Sequence, residues 1–249
     1  MPLSDKQRER YARHLALQEI GEQGQEKLLE AKVLIIGAGG LGSPVAFYLA
    51  AAGIGTIGLM DGDKVDLSNL QRQILHTTAS IGQEKVNSAE ERLHSLDPDI
   101  RLTLYPYRLT TDNAPKIIAG YDFIIDATDN FDAKFLIARA CHHAAKPYSH
   151  AGIREFHGQT MTVHPGKTAC YQCVFHEEGA PAASIPKGTI GALPGLIGSI
   201  QATEAIKEIL SIGTPLVNTL LTCDLLSMTM RRISVQRDPS CPICGEPHQ

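Results

Sequence analysis

The chain has 249 residues, of which 43% are hydrophobic, enough for one large α/β unit with a full core. Its net charge of −4 offers no bulk attraction to nucleic acid, and no apolar run approaches the roughly 20 residues that a membrane span needs. The charged N-terminal stretch has no apolar secretory segment, so a cytoplasmic location is expected, and of the six cysteines four form two C-x-x-C pairs that suggest metal before disulfide.

Residues 4 to 29 read as an amphipathic helical region, with Leu15, Leu17, Ile20, Leu28 and Leu29 as its apolar positions and interruptions at Gly21 and Gly24. Val33-Leu34-Ile35-Ile36 is a short continuous apolar run, the pattern of a strand buried on both faces of a parallel sheet. Gly37, Gly39 and Gly42 follow at G-x-G-x-x-G spacing, with Gly40 as an extra glycine, and a helix is predicted from about Leu41 to Ala52. So tight a turn from strand to helix needs residues that accept positive φ and let a ligand approach the backbone. The first amides of the helix then form an anion site suited to phosphate. An acidic residue that grips a nucleotide ribose is expected about 20 residues on. Asp61, at the end of the second strand Gly58-Leu59-Met60, meets that expectation.

The next stretch, DGDKVDLSNLQRQILHTTAS, is polar and holds Asp61, Asp63, Asn69, Arg72 and Gln73. It follows the C-terminal end of a strand, the side on which open α/β sheets bind ligands. Lys85 stands near the start of a helix predicted over Gln83 to Ser95, and Leu102 to Tyr105 is the third strand. A fourth strand, Tyr121 to Asp126, runs into Ala127-Thr128-Asp129-Asn130 at the same sheet edge as Gly39 and Asp61. Arg72 and Lys85 suit phosphate neutralisation there. Asp126 and Asp129 suit Mg²⁺, which takes one or two carboxylates plus phosphate oxygens, although a structural role at the strand end fits Asp126 better. A helix to about Ala145 and a fifth strand, Pro147 to Gly152, follow.

Beyond Gly152 the pattern changes. Gln159 to His164 alternates like an antiparallel strand, Glu177 to Ile190 reads as a loop, Leu193 to Leu210 as a helix, and Leu216 to Leu221 and Met228 to Val235 as two more strands. Cys170, Cys173, Cys241 and Cys244 suit a tetrahedral zinc site, since structural Zn²⁺ prefers four thiolates. The long interval between the pairs is tolerable because loop closure costs little extra per residue. Four thiolates leave no open coordination position, so this metal is structural rather than catalytic. Cys141 and Cys223 read as packed thiols. The fold class expected is α/β: a Rossmann-like, mostly parallel sheet with helices on both faces, an antiparallel C-terminal extension and a structural zinc knuckle.

Taken together, GAGGLGS, DGDKVDLSNLQRQ, Lys85, DATDN, the two C-x-x-C pairs and the helix GSIQATEAIKEIL resemble the ThiF/MoeB/HesA family, bacterial relatives of ubiquitin-activating enzymes. The resemblance spans nearly the whole chain in order. It implies one adenylating unit, with a nucleotide-binding half at about 30–152 and a carrier-binding and zinc half at about 153–249. It implies ATP-dependent adenylation of the C-terminal glycine of a ubiquitin-like sulfur carrier of the ThiS or MoaD type. By position, Gly40 and the turn around it would pack on ATP, and Asp61 would bind the ribose. Ser68, Asn69, Leu70, Gln71 and Arg72 would line the triphosphate, with Arg72 and Lys85 as cations. Asp129 would hold Mg²⁺ with Asn130 beside it, and Arg13 would reach the ATP of the other subunit of a homodimer. Relatives that carry a mobile-loop cysteine have it where this chain has Ser184, so adenylation is implied here without a thioester step. Three other readings stay open from sequence: a nicotinamide-dependent oxidoreductase, a nucleotide-binding partner without catalysis, and a tRNA-modifying adenylating relative.

Overall fold

Helices and strands alternate from the start of the glycine-bearing unit to the fifth strand, and the strands assemble into a single eight-stranded sheet. The structure, a computed structural model, describes residues 2–177 and 188–245. Three helices open the chain: α1 (Asp5–Arg10), α2 (Ala12–Leu15) and α3 (Gly21–Glu30). The parallel part of the sheet follows as β1 (Lys32–Ile36), α4 (Gly42–Ala52), β2 (Thr56–Met60), α5 (Lys85–Leu96), β3 (Arg101–Tyr105), α6 (Ala114–Ala119), β4 (Phe123–Asp126), α7 (Phe131–His143) and β5 (Tyr148–Arg154). The antiparallel part adds β6 (His157–Val163), α8 (Tyr171–Val174), α9 (Ala192–Leu210), β7 (Thr219–Asp224) and β8 (Thr229–Ser234).

The strand order is β3-β2-β1-β4-β5-β6-β7-β8, parallel as far as β5 and antiparallel beyond it. The parallel strands are apolar on both faces because helices cover both. Val33 and Ile35 join one core with Leu49 of α4, Leu93 of α5 and Ile197 of α9. Leu34 and Ile36 join a second core with Ile118 of α6 and Phe135 of α7. Burying each such side chain stabilises the fold by about 1.5–3 kcal/mol. The chain order reverses direction between β1 and β4, which makes the crevice at their carboxyl ends the place where such sheets take ligands.

Three of the departures from the pattern in sequence have a local cause. Gly24 does not interrupt the leader but sits inside α3, buried beside Ile20 and Leu210, where an added Cβ would crowd Ile20 at 3.1 Å. Gly21, at φ +55°, starts that helix instead. The strand expected from Leu216 begins only at Thr219. Asn218 takes φ +51°, which breaks the extended run, and Val217 makes an isolated bridge to Thr162. The helix expected from Gln83 begins at Lys85, because Gln83 and Glu84 pair with the loop at Lys64 and Val65. Residues 178–187 of the expected loop, with Ser184, lie outside the described residues. Among the described residues no helix is long and apolar enough to cross a membrane.

Candidate active site at the carboxyl edge

At the end of β1 the glycines do what their spacing requires. Gly37 has φ +103°, and a Cβ there would lie 2.6 Å from the carbonyl oxygen of Ala127, at the end of β4. A Cβ on Gly42 would stand 1.9 Å from the Gly37 carbonyl oxygen. Only glycine lets β1, β4 and the start of α4 meet this closely. Gly39 and Gly40 keep the outer side of the turn low: the carboxamide of Gln73 borders the first, and Pro194 and the stem of Arg72 border the second. Three helices, α4, α7 and α9, begin at this edge. The first amides of a helix have no intrahelical acceptor and carry partial positive charge, so the edge favours anions.

The turn is held from behind. Asp61 Oδ2 accepts from the Ala38 amide at 2.9 Å, and its other oxygen accepts from the Asp63 amide at 2.9 Å. Ser43 Oγ donates to the Gly39 carbonyl at 2.6 Å and accepts from the Leu75 amide. His76 is buried, and burial, followed by the nearby Lys85 charge, pushes its pKa down, so the ring is neutral. Its Nε2 donates to the Ala38 carbonyl at 2.8 Å, and Nδ1 accepts from Ser88 Oγ at 3.0 Å.

Lys85, buried at the first position of α5, places Nζ 3.3 Å from Asp63 and 3.8 Å from Asp61. Arg108 donates to Asp63 at 2.9 Å. Partial burial would raise the Asp63 carboxyl, but Arg108 and Lys85 outweigh it and hold it below the usual carboxylate range. The loop after β2 folds on itself: Asp66 caps Ser68 through its amide and hydroxyl, and Arg72 Nη1 donates to the Ser68 carbonyl at 3.2 Å. Asn69, Leu70 and Gln71 lie on the same short segment, and Gln71 Nε2 reaches the Thr189 carbonyl ahead of α9. At the end of β4, Asn130 caps α7 by accepting from the Ala133 amide at 2.9 Å. Asp129 is exposed and receives one long contact, 3.5 Å, from Asn130.

The structure thus gathers the glycines, Asp61, Asp63, Ser68 to Arg72, Lys85, Asp129 and Asn130 at one edge. Arg13 is not brought there within the chain. His14, beside it on α2, bonds Gln25, which bonds the Ala52 carbonyl at the C-terminal end of α4. That end is about 16 Å along the helix from the glycine turn. Sequence reasoning placed Gln73 in the polar loop but passed over His76, Arg108, Lys134 and His150. Lys134 had a signal: it shares the buried stripe of α7 with Ala138 and Cys141, where an unpaired lysine would be costly. Asp126 is fully buried and takes up Lys134 and His150, so it is unavailable to a metal.

The four-cysteine cluster lies apart from this edge. The sulfurs of Cys170, Cys173, Cys241 and Cys244 all lie within 4.8 Å of one another. Cys170 is 3.7 Å from Cys173 and 3.5 Å from Cys241, and Cys173 is 3.3 Å from Cys244. Tetrahedral zinc with Zn–S bonds of about 2.3 Å sets its sulfurs about 3.8 Å apart, so the donor set fits zinc in number, type and spacing. A hydrogen bond from the Cys170 thiol, helped by the Asp238 amide, pulls the Cys173 thiol below the ordinary thiol range, towards the thiolate that binds metal. Gly245 closes the second knuckle, since a Cβ there would meet the Cys241 carbonyl oxygen at 2.5 Å. Cys141 and Cys223 are buried thiols pushed up by burial.

A model of the ThiF family matches residues 11–243. The sulfur carrier protein adenylyltransferase of Thermus thermophilus is 42% identical over 247 residues, 96% of this chain and 91% of the relative. The SAMP-activating enzyme E1 of Haloferax volcanii is 39% identical over 250 residues, 99% of this chain and 92% of the relative. A crystal structure of E. coli MccB with ATP superposes with a TM-score of 0.84 at 26% identity, over 95% of this chain and 75% of MccB.

Proposed function

The chain belongs to the ThiF family, and from that premise we propose that it adenylates the C-terminal carboxylate of a ubiquitin-like sulfur-carrier protein. The observation that carries this reading is the meeting of the glycine turn, Asp61 and Lys85 at the switch point of the sheet, in a chain similar from end to end to a sulfur carrier protein adenylyltransferase. ATP is the nucleotide. The α4 terminus and the segment Ser68 to Arg72 would hold its triphosphate, and Asp61 would hold its ribose.

The chemistry needs no general base. A terminal carboxyl has a pKa of about 3.5 and is ionised at neutral pH. One carboxylate oxygen attacks the α-phosphorus, the bond from that phosphorus to the α,β-bridging oxygen breaks, and pyrophosphate leaves with the carrier joined to AMP. Carboxylate and triphosphate repel each other, so the enzyme contributes alignment and positive charge rather than proton transfer. Lys85 and Arg72 supply that charge from this chain. Asp129, exposed and nearly unpartnered, is the carboxylate to hold Mg²⁺, which when bound neutralises phosphate charge. Cys170, Cys173, Cys241 and Cys244 would hold zinc, which would tie α8 to the C-terminal segment.

Arg13 acts across a homodimer in this reading. Its place at the far end of α4 from its own turn supports a role in trans. The six unpaired thiols among the described residues suit a cytoplasmic, reducing setting. The test is pyrophosphate–ATP exchange with a Gly-Gly-ended carrier. Exchange that depends on the carrier supports the reading, and ATP binding without exchange counts against it.

A further inference from the structure

Behind the nucleotide edge lies a buried charged cluster that the reaction above does not use. Asp126, the last residue of β4, is 1% exposed, Lys134 on α7 is 7% and His150 on β5 is 1%. Lys134 Nζ donates to both Asp126 oxygens at 3.2 Å and to the Ala151 carbonyl at 2.6 Å. His150 Nδ1 donates to Asp126 Oδ2 at 2.9 Å. The imidazole rests against Tyr171 and Phe175, with ring centres 4.5 and 5.5 Å away. Its Nε2 is buried without a partner, so the ring's one polar contact fixes how it faces Asp126.

The remaining bonds of Asp126 run to Thr128 and Gln201. Oδ1 accepts from the Thr128 amide at 3.1 Å and from the Thr128 hydroxyl at 2.6 Å. Gln201 Nε2 donates to the Asp126 carbonyl at 3.0 Å and to the Ser149 carbonyl at 3.2 Å, which locks β4 to β5 at this level. A buried ion pair is weak support for stability, because desolvation offsets much of the attraction and apolar replacements are often as good. What this pair does supply is a carboxylate with one defined orientation, and that carboxylate grips the residue before Asp129.

We propose that Lys134 and His150 are positioning residues that aim Asp126, whose carboxylate clamps Thr128 and so fixes the backbone that presents Asp129 to the nucleotide. The proposal rests on the reading of Asp129 given above. Tyr171 lies between Cys170 and Cys173, so the same cluster joins the sulfur knuckle to the reaction edge through His150.

Two readouts test the clamp and keep it separate from that reading. The first is hydrogen exchange at the Thr128 amide in the protein without nucleotide. Lys134→Met should speed it by about tenfold, the weight of one lost buried hydrogen bond, and Lys134→Arg should restore it. The second is the Mg²⁺ concentration that half-saturates pyrophosphate–ATP exchange. It should rise by about tenfold in Lys134→Met with a smaller change in kcat, a split that mere loss of stability would not give. Should Lys134→Met not fold, Thr128→Val removes the hydroxyl bond without touching the buried pair and should still raise the Mg²⁺ requirement. A folded Lys134→Met with Thr128 exchange and Mg²⁺ dependence as in the wild type would overturn the clamp. If Asp129→Ala leaves the Mg²⁺ dependence unchanged, the reading of Asp129 fails instead, and the Thr128 amide alone decides the clamp.

Discussion

The two clusters of chemistry-bearing residues are built in opposite ways. In the knuckle, four thiols face one another within 4.8 Å, three of them buried, and a tetrahedral ion would use every donor. At the carboxyl edge the groups are left open: among the described residues, Asp129 is exposed with one long contact, and Arg72 donates to a backbone carbonyl. Behind that edge the supporting groups are fully engaged, as His76 and Asp126 show. A site that holds a metal for structure closes on itself. One that carries out a reaction keeps its outermost charges free and fixes the layer beneath them.

Four substitutions break this contrast in different places. The largest effect is expected from Asp129→Ala, an open charge with no packing role. It should lower pyrophosphate–ATP exchange by at least about 10²-fold, or some 2.7 kcal/mol of transition-state stabilisation, with Tm unchanged. Normal exchange in that variant would remove Asp129 from the mechanism. Cys241→Ser should do the reverse. Metal binding is coupled to folding, so losing a ligand should lower Tm by about 10 °C or more, at roughly 2–4 °C per kcal/mol. Zinc analysis of the wild type showing no metal would end this prediction at once.

A third experiment asks whether the open edge is completed by a second copy. Arg13→Ala and Asp129→Ala, each nearly inactive alone, are mixed and allowed to exchange subunits. With equal mixing about a quarter of the sites then pair an intact Asp129 with a partner's intact Arg13, and activity should return to about that level. No recovery after verified exchange would deny the trans role. The smallest effect is on acid stability. Burial above all, then the Lys134 charge, holds His150 down at about 4 against an ordinary value of 6.5. The unfolded chain therefore takes up this proton at higher pH than the folded one. Stability should fall as pH drops from about 6.5 towards 4, and His150→Gln should flatten that slope in denaturant melts. Asp126 behaves differently. Burial alone would raise it, but Lys134 and His150 hold it near 2, so its contribution is lost only below the ordinary carboxylate range.

Most of the carboxyl edge was legible because its requirements are local. A glycine at φ +103° beside a strand end, an acid one strand over and a cation at a helix start leave short patterns in the chain. The knuckle was legible from ligand type and pairing alone, despite the long interval between its halves. The supporting layer was not, because its members meet only after folding. His150 and Lys134 come from a strand and a helix that flank β4, and nothing in their neighbouring residues announces Asp126 as their shared partner. The separation of Arg13 from its own turn likewise appears only once α2 is seen at the far end of α4. Gly24 misled the reading because a glycine that breaks an isolated helix also serves where a side chain presses on the helix surface, as Ile20 does here, with a Cβ on Gly24 only 3.1 Å from its Cγ2.

The central claim is that this site joins AMP to a carrier's terminal carboxylate. It is tested most directly by the intact mass of a Gly-Gly-ended carrier incubated with enzyme, ATP and Mg²⁺. The account predicts a mass gain of one adenylyl group, with pyrophosphate released in step and no gain on a carrier whose C-terminus is amidated. A carrier of unchanged mass, while ATP is bound or is split to ADP and phosphate, would contradict it.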